Sequence, residues 1–137
     1  MSTLPHPKAP GLEVGIDEAV IARLVDRFYA RVRQDEILGP VFAARIEDWD
    51  AHLIKLCAFW SSVVLMTGRY KGRPMPVHAA IAEISDVHFE RWLRLFAETA
   101  QSVCAPEAAA VFIDRAKRIA ESLRWGISLA RNPSQIP

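Results

Sequence analysis

Residues 48–67 read DWDAHLIKLCAFWSSVVLMT and predict a long helix at the centre of the fold. Few faces of this helix are polar beyond Lys55, and a helix that is apolar on most sides belongs in a protein interior. Gly68 is expected to end it, because glycine readily adopts the backbone conformation that closes many helices. The apolar positions are Trp49, Leu53, Leu56, Phe59, Trp60, Val63, Val64 and Met66.

The rest of the chain also shows helical spacing, and no strand alternation or internal repeat is present. Asp17 and Glu18 stand at the start of the first helix, where the helix dipole favours negative charge. That helix should end before Leu38, because Gly39 and Pro40 both stop helices. Ser85 or Asp86 can cap a later helix. Two glycines and two prolines lie in or beside residues 69–76 and forbid a regular helix there: Gly68, Gly72, Pro74 and Pro76. The fold class is therefore all-α, with further helices expected over about residues 17–34, 40–46, 86–104 and 107–130.

Length and charge favour one globular domain. The 137 residues are 51% hydrophobic and carry a net charge of +1, so nothing in the charge points to nucleic acid. No apolar run is long enough to span a bilayer, and the proline-bearing N-terminus lacks a signal core. We expect a flexible leader at 1–15, a domain at 16–131 and a loose tail at 132–137, in a cytoplasmic monomer or weak homodimer.

One histidine stands out by its surroundings. His78 lies in the short apolar stretch Pro76-Val77-His78-Ala79-Ala80-Ile81. A neutral imidazole can serve as an axial ligand of haem iron. Tyr29, His52 and Trp92, on separate helical segments, could supply polar groups on the other side of a haem. From the residues alone, His78 could also be a solvated histidine with no function, and Tyr29 and Trp92 could be core residues.

Six segments together carry a resemblance to the truncated haemoglobins, most closely to their group III, over about residues 16–130. That family has a two-over-two sandwich of helices B, E, G and H, with helix F reduced to a short turn. The glycine pairs of other truncated haemoglobins are largely missing here, which is typical of group III. The segments are Leu24–Tyr29, Leu38–Phe42, Trp49–His52, Phe59–Trp60, Met75–His78 and Phe89–Phe96.

The resemblance implies a haem b cofactor and assigns roles around it. His78 would be the proximal iron ligand, and Tyr29, His52 and Trp92 would be the distal residues. His52 could donate to the ligand, act as a gate, ligate the iron or face solvent. The residues expected to contact the cofactor are His78, His52, Leu56, Phe59, Phe28 and Trp92, with Lys55, Tyr70 and Arg73, beside Arg69 and Lys71, as candidates near the propionates.

The implied function is binding of O₂, NO, CO or peroxide at the iron. Several distal donors favour NO dioxygenase-like or peroxidase-like detoxification over oxygen transport, because a tightly held ligand leaves too slowly for delivery. A reductase would return the iron to the ferrous state. Two alternatives remain: a haem-based gas sensor or electron carrier, in which His52 could join His78 on the iron, and a haem-free helical module that binds another protein.

Overall fold

The computed structural model describes residues 4–72 and 84–131, with side chains described as far as residue 128. Every regular element in these ranges is a helix, which confirms the all-α prediction. None of the described helices is both long and apolar enough to cross a membrane. The helices are α1 (Glu18–Gln34), α2 (Leu38–Arg45), α3 (Trp49–Val64), α4 (Asp86–Val103) and α5 (Pro106–Arg131).

Side-chain acceptors mark where three helices begin. Asp17 accepts a hydrogen bond from the Val20 N–H at 2.9 Å, and Asp48 accepts one from the Ala51 N–H at 3.1 Å. At the start of α4, the Ser85 N–H donates to Nδ1 of His88 at 3.1 Å. Each contact satisfies an N–H group that has no partner within the helix, and losing such a cap costs about 1 kcal/mol.

The helices form two layers. The helices α1 and α3 pack together in one layer, α4 and α5 pack together in the other, and α1 lies on α4 while α3 lies on α5. The short α2 packs on α1 and α4. No Cα atom of α3 lies within 8 Å of a Cα atom of α4, so these two helices meet through large side chains and not by close approach of their backbones.

Stacked aromatic rings connect α3 to α4. Phe96 of α4 lies between Trp60 of α3, at 5.0 Å between centroids and 13° between planes, and Trp92, at 5.3 Å and 10°. Phe28 meets Phe96 edge-on at 5.1 Å, and Phe112 meets Trp60 edge-on at 5.7 Å. Trp60 is 2% exposed, which makes it a core residue.

The chain before α1 closes the end of α3. The N–H groups of His6 and Gly11 donate to the carbonyls of Leu65 and Val64, at 2.9 and 2.8 Å. A Cβ atom on Gly11 would lie 2.9 Å from the Val64 oxygen, so only glycine allows this approach. These bonds satisfy carbonyls that α3 leaves without partners. The helix thus ends at Val64, short of the expected Thr67, and Gly68 follows in the left-handed region with a φ of 70°.

Candidate haem pocket

Tyr29 lies at the centre of the candidate site. It projects from α1 and is 4% exposed, and the side chain of Trp92 on α4 lies near enough to its hydroxyl to act on the pKa as a hydrogen-bond donor. The indole N–H can only donate, so the phenol oxygen is the acceptor and the Tyr29 O–H remains a donor. Burial raises the pKa of Tyr29 to about 12, against the smaller lowering effect of the bond from Trp92. The phenol therefore keeps its proton at neutral pH.

Three rings from two helices, α2 and α3, lie around the Tyr29 ring. Tyr29 lies 5.8 Å from Phe42 of α2, 6.3 Å from Trp49 and 6.2 Å from His52, measured between ring centroids. Trp49 also stacks on Phe42 at 6.4 Å and meets His52 edge-on at 5.8 Å. We call Tyr29, Phe42, Trp49 and His52 the distal cluster. Two residues expected from the sequence, Tyr29 and His52, thus come together.

The third expected distal residue, Trp92, reaches Tyr29 from the opposite layer. It is half-buried, stacks on Phe96, and has Phe28 edge-on at 5.5 Å. Phe28 is 1% exposed and also meets Tyr29 edge-on at 4.7 Å. Phe28 therefore packs behind both polar aromatics and fixes the spacing between them.

A buried ion pair holds α4 in register beside this site. Asp35, just beyond α1, accepts from Nε of Arg91 at 2.7 Å and pairs with its Nη2 at 2.6 Å. The second carboxylate oxygen accepts from the N–H groups of Ile37 and Leu38 at the start of α2. The Asp35 side chain is 3% exposed. Arg91 precedes Trp92, so this pair fixes the part of α4 that brings Trp92 to Tyr29.

The charge balance of this pair favours the ionised carboxylate. Burial acts to raise the pKa of Asp35, but the hydrogen bonds from Arg91, Leu38 and Ile37 and the charge of Arg91 outweigh it, so the pKa lies below its usual value. This pair is not evident from the sequence. Its members lie 56 positions apart, and neither stands in a local pattern that would indicate the other.

A second apolar stripe of α3 is only half-buried. Leu56, Phe59 and Val63 pack against the core from its edge, at three- and four-residue steps beside the fully buried Trp60 and Val64. Phe59 has the Tyr70 ring edge-on at 5.2 Å. The Tyr70 N–H donates to Oγ of Ser62 at 2.9 Å, which ties the chain after α3 to this stripe.

These features fit a haem. A porphyrin is a flat apolar group, and cofactor sites are mostly apolar with a few placed polar groups. The chain offers two helices, α3 and α4, whose backbones do not approach closely, large apolar side chains that are half-buried on both, and a desolvated phenol donor. Among the described residues, no cluster of three or more His, Cys, Asp or Glu could hold a metal ion.

The remaining predicted contacts lie at the edge of this region or outside the described residues. Lys55 and Lys71 are exposed, while Arg69 pairs with Glu18 at 3.4 Å. Glu18 also accepts a hydrogen bond from the buried Ser61 hydroxyl at 2.7 Å. The predicted proximal ligand His78 and the candidate cation Arg73 fall outside the described residues.

A separate open groove of about 700 Å³ lies between α1 and α3, and Tyr29, His52 and Trp92 do not line it. Its floor includes Val25, Leu53 and Cys57. Burial, then the charges of Glu18 and Asp26, raise the pKa of the Cys57 thiol. A raised pKa disfavours the thiolate, which is the nucleophilic form of cysteine.

Comparison with known proteins identifies the class and then the subgroup. The model of the bacterial-like globins matches residues 13–124, and the chain belongs to this family, as a truncated haemoglobin of group III. A group 3 truncated haemoglobin of Campylobacter jejuni is 37% identical over 109 residues, covering 77% of this chain and 86% of the relative. The family implies a haem-binding globin.

Solved structures agree with this assignment. The crystal structure of a group III truncated haemoglobin from Campylobacter jejuni is 34% identical, with a TM-score of 0.78 over 82% of this chain and 91% of that one. A group II truncated haemoglobin from Bacillus anthracis is 25% identical, with a TM-score of 0.68 over 86% of this chain and 92% of that one. The predicted truncated globin fold is thereby confirmed.

Proposed function

We propose that this globin holds haem b through His78, binds O₂ and other diatomic ligands on the opposite side, and serves NO/O₂ or peroxide chemistry rather than oxygen transport. The observation that carries the proposal is the buried Tyr29 phenol, which lies among the rings of Phe42, Trp49 and His52 and retains its proton to donate. When bound, haem would supply a redox-active iron that can bind a diatomic ligand, and His78 would hold it.

Tyr29 would act as the main donor to the bound ligand. Hydrogen bonds are stronger in a dry site than in water, and a donor that itself accepts a hydrogen bond is polarised further. The Trp92 indole, which can only donate, would supply that bond to Tyr29, and the two residues would then act in series. An arrangement of this kind stabilises negative charge on a bound oxygen species and slows its departure. Slow release suits chemistry at the iron better than delivery.

The chain would hold the cofactor largely by apolar contact. Leu56 and Phe59, half-buried on α3, would cover one face together with His52, and Trp92 would do so from α4, with Phe28 packed behind it. Lys55, Tyr70 and Arg73 are proposed near the propionates. A reductase would restore the ferrous state, and the cell compartment proposed for this chemistry is the cytoplasm.

The deciding experiment is the visible spectrum of the purified protein, reduced and then exposed to CO, beside the His78→Ala variant. We expect a Soret band that shifts with CO and is lost or altered in the variant. A six-coordinate ferrous spectrum before CO would instead favour electron transfer with His52 on the iron. A colourless protein that does not take up added haemin would overturn the proposal in favour of a haem-free binding module.

A further inference from the structure

A further role falls to Trp49, an apolar position of α3 in the segment Trp49–His52. Trp49 contacts all three other members of the distal cluster: Phe42 at 6.4 Å, Tyr29 at 6.3 Å and His52 at 5.8 Å between centroids. It is half-buried, so one part of its indole faces the cluster and another faces outward.

Arg33 covers the indole. Its guanidinium carbon lies 4.6 Å from the centroid of the Trp49 ring, well inside the 6 Å or so that defines a cation–π contact. Arg33 stands in the last turn of α1 and Trp49 is the first residue of α3. The contact therefore joins the end of one helix directly to the start of the other.

This position places Trp49 where it can restrain the side chain of His52. The two residues lie three apart on α3, on the same face of its first turn, where backbone N–H groups lack partners inside the helix and the helix tends to fray. Asp48 caps the Ala51 N–H. Side-chain contacts add to the hold on this turn, and Trp49 supplies three of them, with Tyr29, Phe42 and His52.

We propose that Arg33 and Trp49 together position His52 beside Tyr29 and close this corner of the distal pocket to solvent. The proposal rests on the proposed function, because a closed corner matters only if a ligand binds there. Arg33 and Trp49 are positioning residues that act through His52. They hold the side chain of His52 at the edge of the pocket and keep it from turning to solvent.

The test compares Arg33→Ala, Arg33→Lys and Trp49→Leu with a matched control, Arg31→Ala. Arg31 lies on the same turn of α1 but donates to Thr99 and pairs with Glu98, both at 3.0 Å, away from Trp49. Two quantities are measured on the ferrous CO complex: the CO association rate after flash photolysis, and nuclear Overhauser contacts between the Trp49 indole and the His52 imidazole.

We expect Arg33→Ala to weaken the Trp49–His52 contacts and to raise the CO association rate about two- to fivefold, the range that loss of an exposed cation–π contact allows. Trp49→Leu should raise the rate further, Arg33→Lys should retain most of the wild-type behaviour, and Arg31→Ala should match the wild type. Unchanged rates and contacts in Arg33→Ala would overturn the proposal. Arg33→Ala changes an exposed side chain, so it tests the proposal even if Trp49→Leu fails to fold.

Failure of the proposed function would give a different result. In that case the wild-type protein would hold no haem, and no CO signal would appear in any variant. The indole–imidazole contacts are then measured on the protein as purified. Their loss in Arg33→Ala would still support positioning of His52 by Trp49, whereas their persistence would refute it.

Discussion

Arg91 and Asp35 join the two layers of the globin at the level of its distal pocket. The Nε and Nη2 atoms of Arg91 lie 2.7 and 2.6 Å from one carboxylate oxygen of Asp35, and the other oxygen accepts from the backbone at the start of α2. One side chain thus fixes α4 to the end of α1 and also begins α2. Trp92 and Phe42 both depend on these helices for their place beside Tyr29.

Removing this carboxylate should destabilise the protein. Asp35→Ala leaves Arg91 without its partner and the half-buried Leu38 N–H without an acceptor. An unsatisfied buried donor costs about 1–3 kcal/mol, and we expect a loss of this size in the free energy of unfolding from urea titration. The matched control is Asp114→Ala, which breaks the exposed pair with Arg118 at 3.2 Å and should change stability by about 0.5 kcal/mol or less. Equal effects of the two variants would contradict the argument.

The same carboxylate should make stability depend on pH in the acid range. The pKa of Asp35 is lower in the folded protein than its ordinary value, so its contribution is present above the unfolded-state pKa, about 4, and is lost as pH falls through the folded pKa. Asp35→Asn lacks this titration. The difference in unfolding free energy between wild type and Asp35→Asn should therefore shrink as pH drops from 6 to about 3. A difference that stays constant over this interval would show that the charge of Asp35 has no part.

The sequence predicted the helices well because their signals are local. Asp17, Asp48 and Ser85 stand at the three starts that periodicity and capping residues indicate. The predicted end of α3 lay three residues too late. The carbonyls of Val64 and Leu65 accept from the N–H groups of Gly11 and His6, which are distant in sequence. No pattern near Val64 reveals a partner so far away in sequence.

Part of the candidate site could be predicted from the sequence, and part of it could not. Tyr29, His52 and Trp92 were found through the resemblance to a family, and the structure brings Tyr29 into contact with both of the others. The roles proposed for these residues stay predictions. Arg33 and Arg91 were missed, because surface-type arginines occur throughout the chain and only tertiary geometry shows which one lies over Trp49 and which one meets Asp35.

Trp60 should matter for stability and not directly for ligand binding. It is 2% exposed and stacks on Phe96, so Trp60→Ala leaves a large cavity, for which a loss of about 3–5 kcal/mol is typical. Trp125→Ala is the control, since Trp125 is 61% exposed and should change the unfolding free energy little. Thermal and urea unfolding measure both. Similar losses for the two tryptophans would mean that Trp60 is not the core residue its burial indicates.

Tyr29 gives the sharpest prediction about the distal pocket. Tyr29→Phe keeps the ring in its contacts with Phe28 and His52 but removes the donor, so O₂ should dissociate about tenfold faster or more, equivalent to at least ~1.4 kcal/mol of ligand stabilisation. Because burial raises the pKa of Tyr29 to about 12, the wild-type rate should stay flat as pH is raised to 10, where an ordinary tyrosine would be half ionised. Stopped-flow displacement of O₂ by CO measures both effects. A rate in Tyr29→Phe no faster than the wild-type rate would remove Tyr29 as the donor, and a wild-type rate that climbs between pH 8 and 10 would show that its hydroxyl is not held in a dry site.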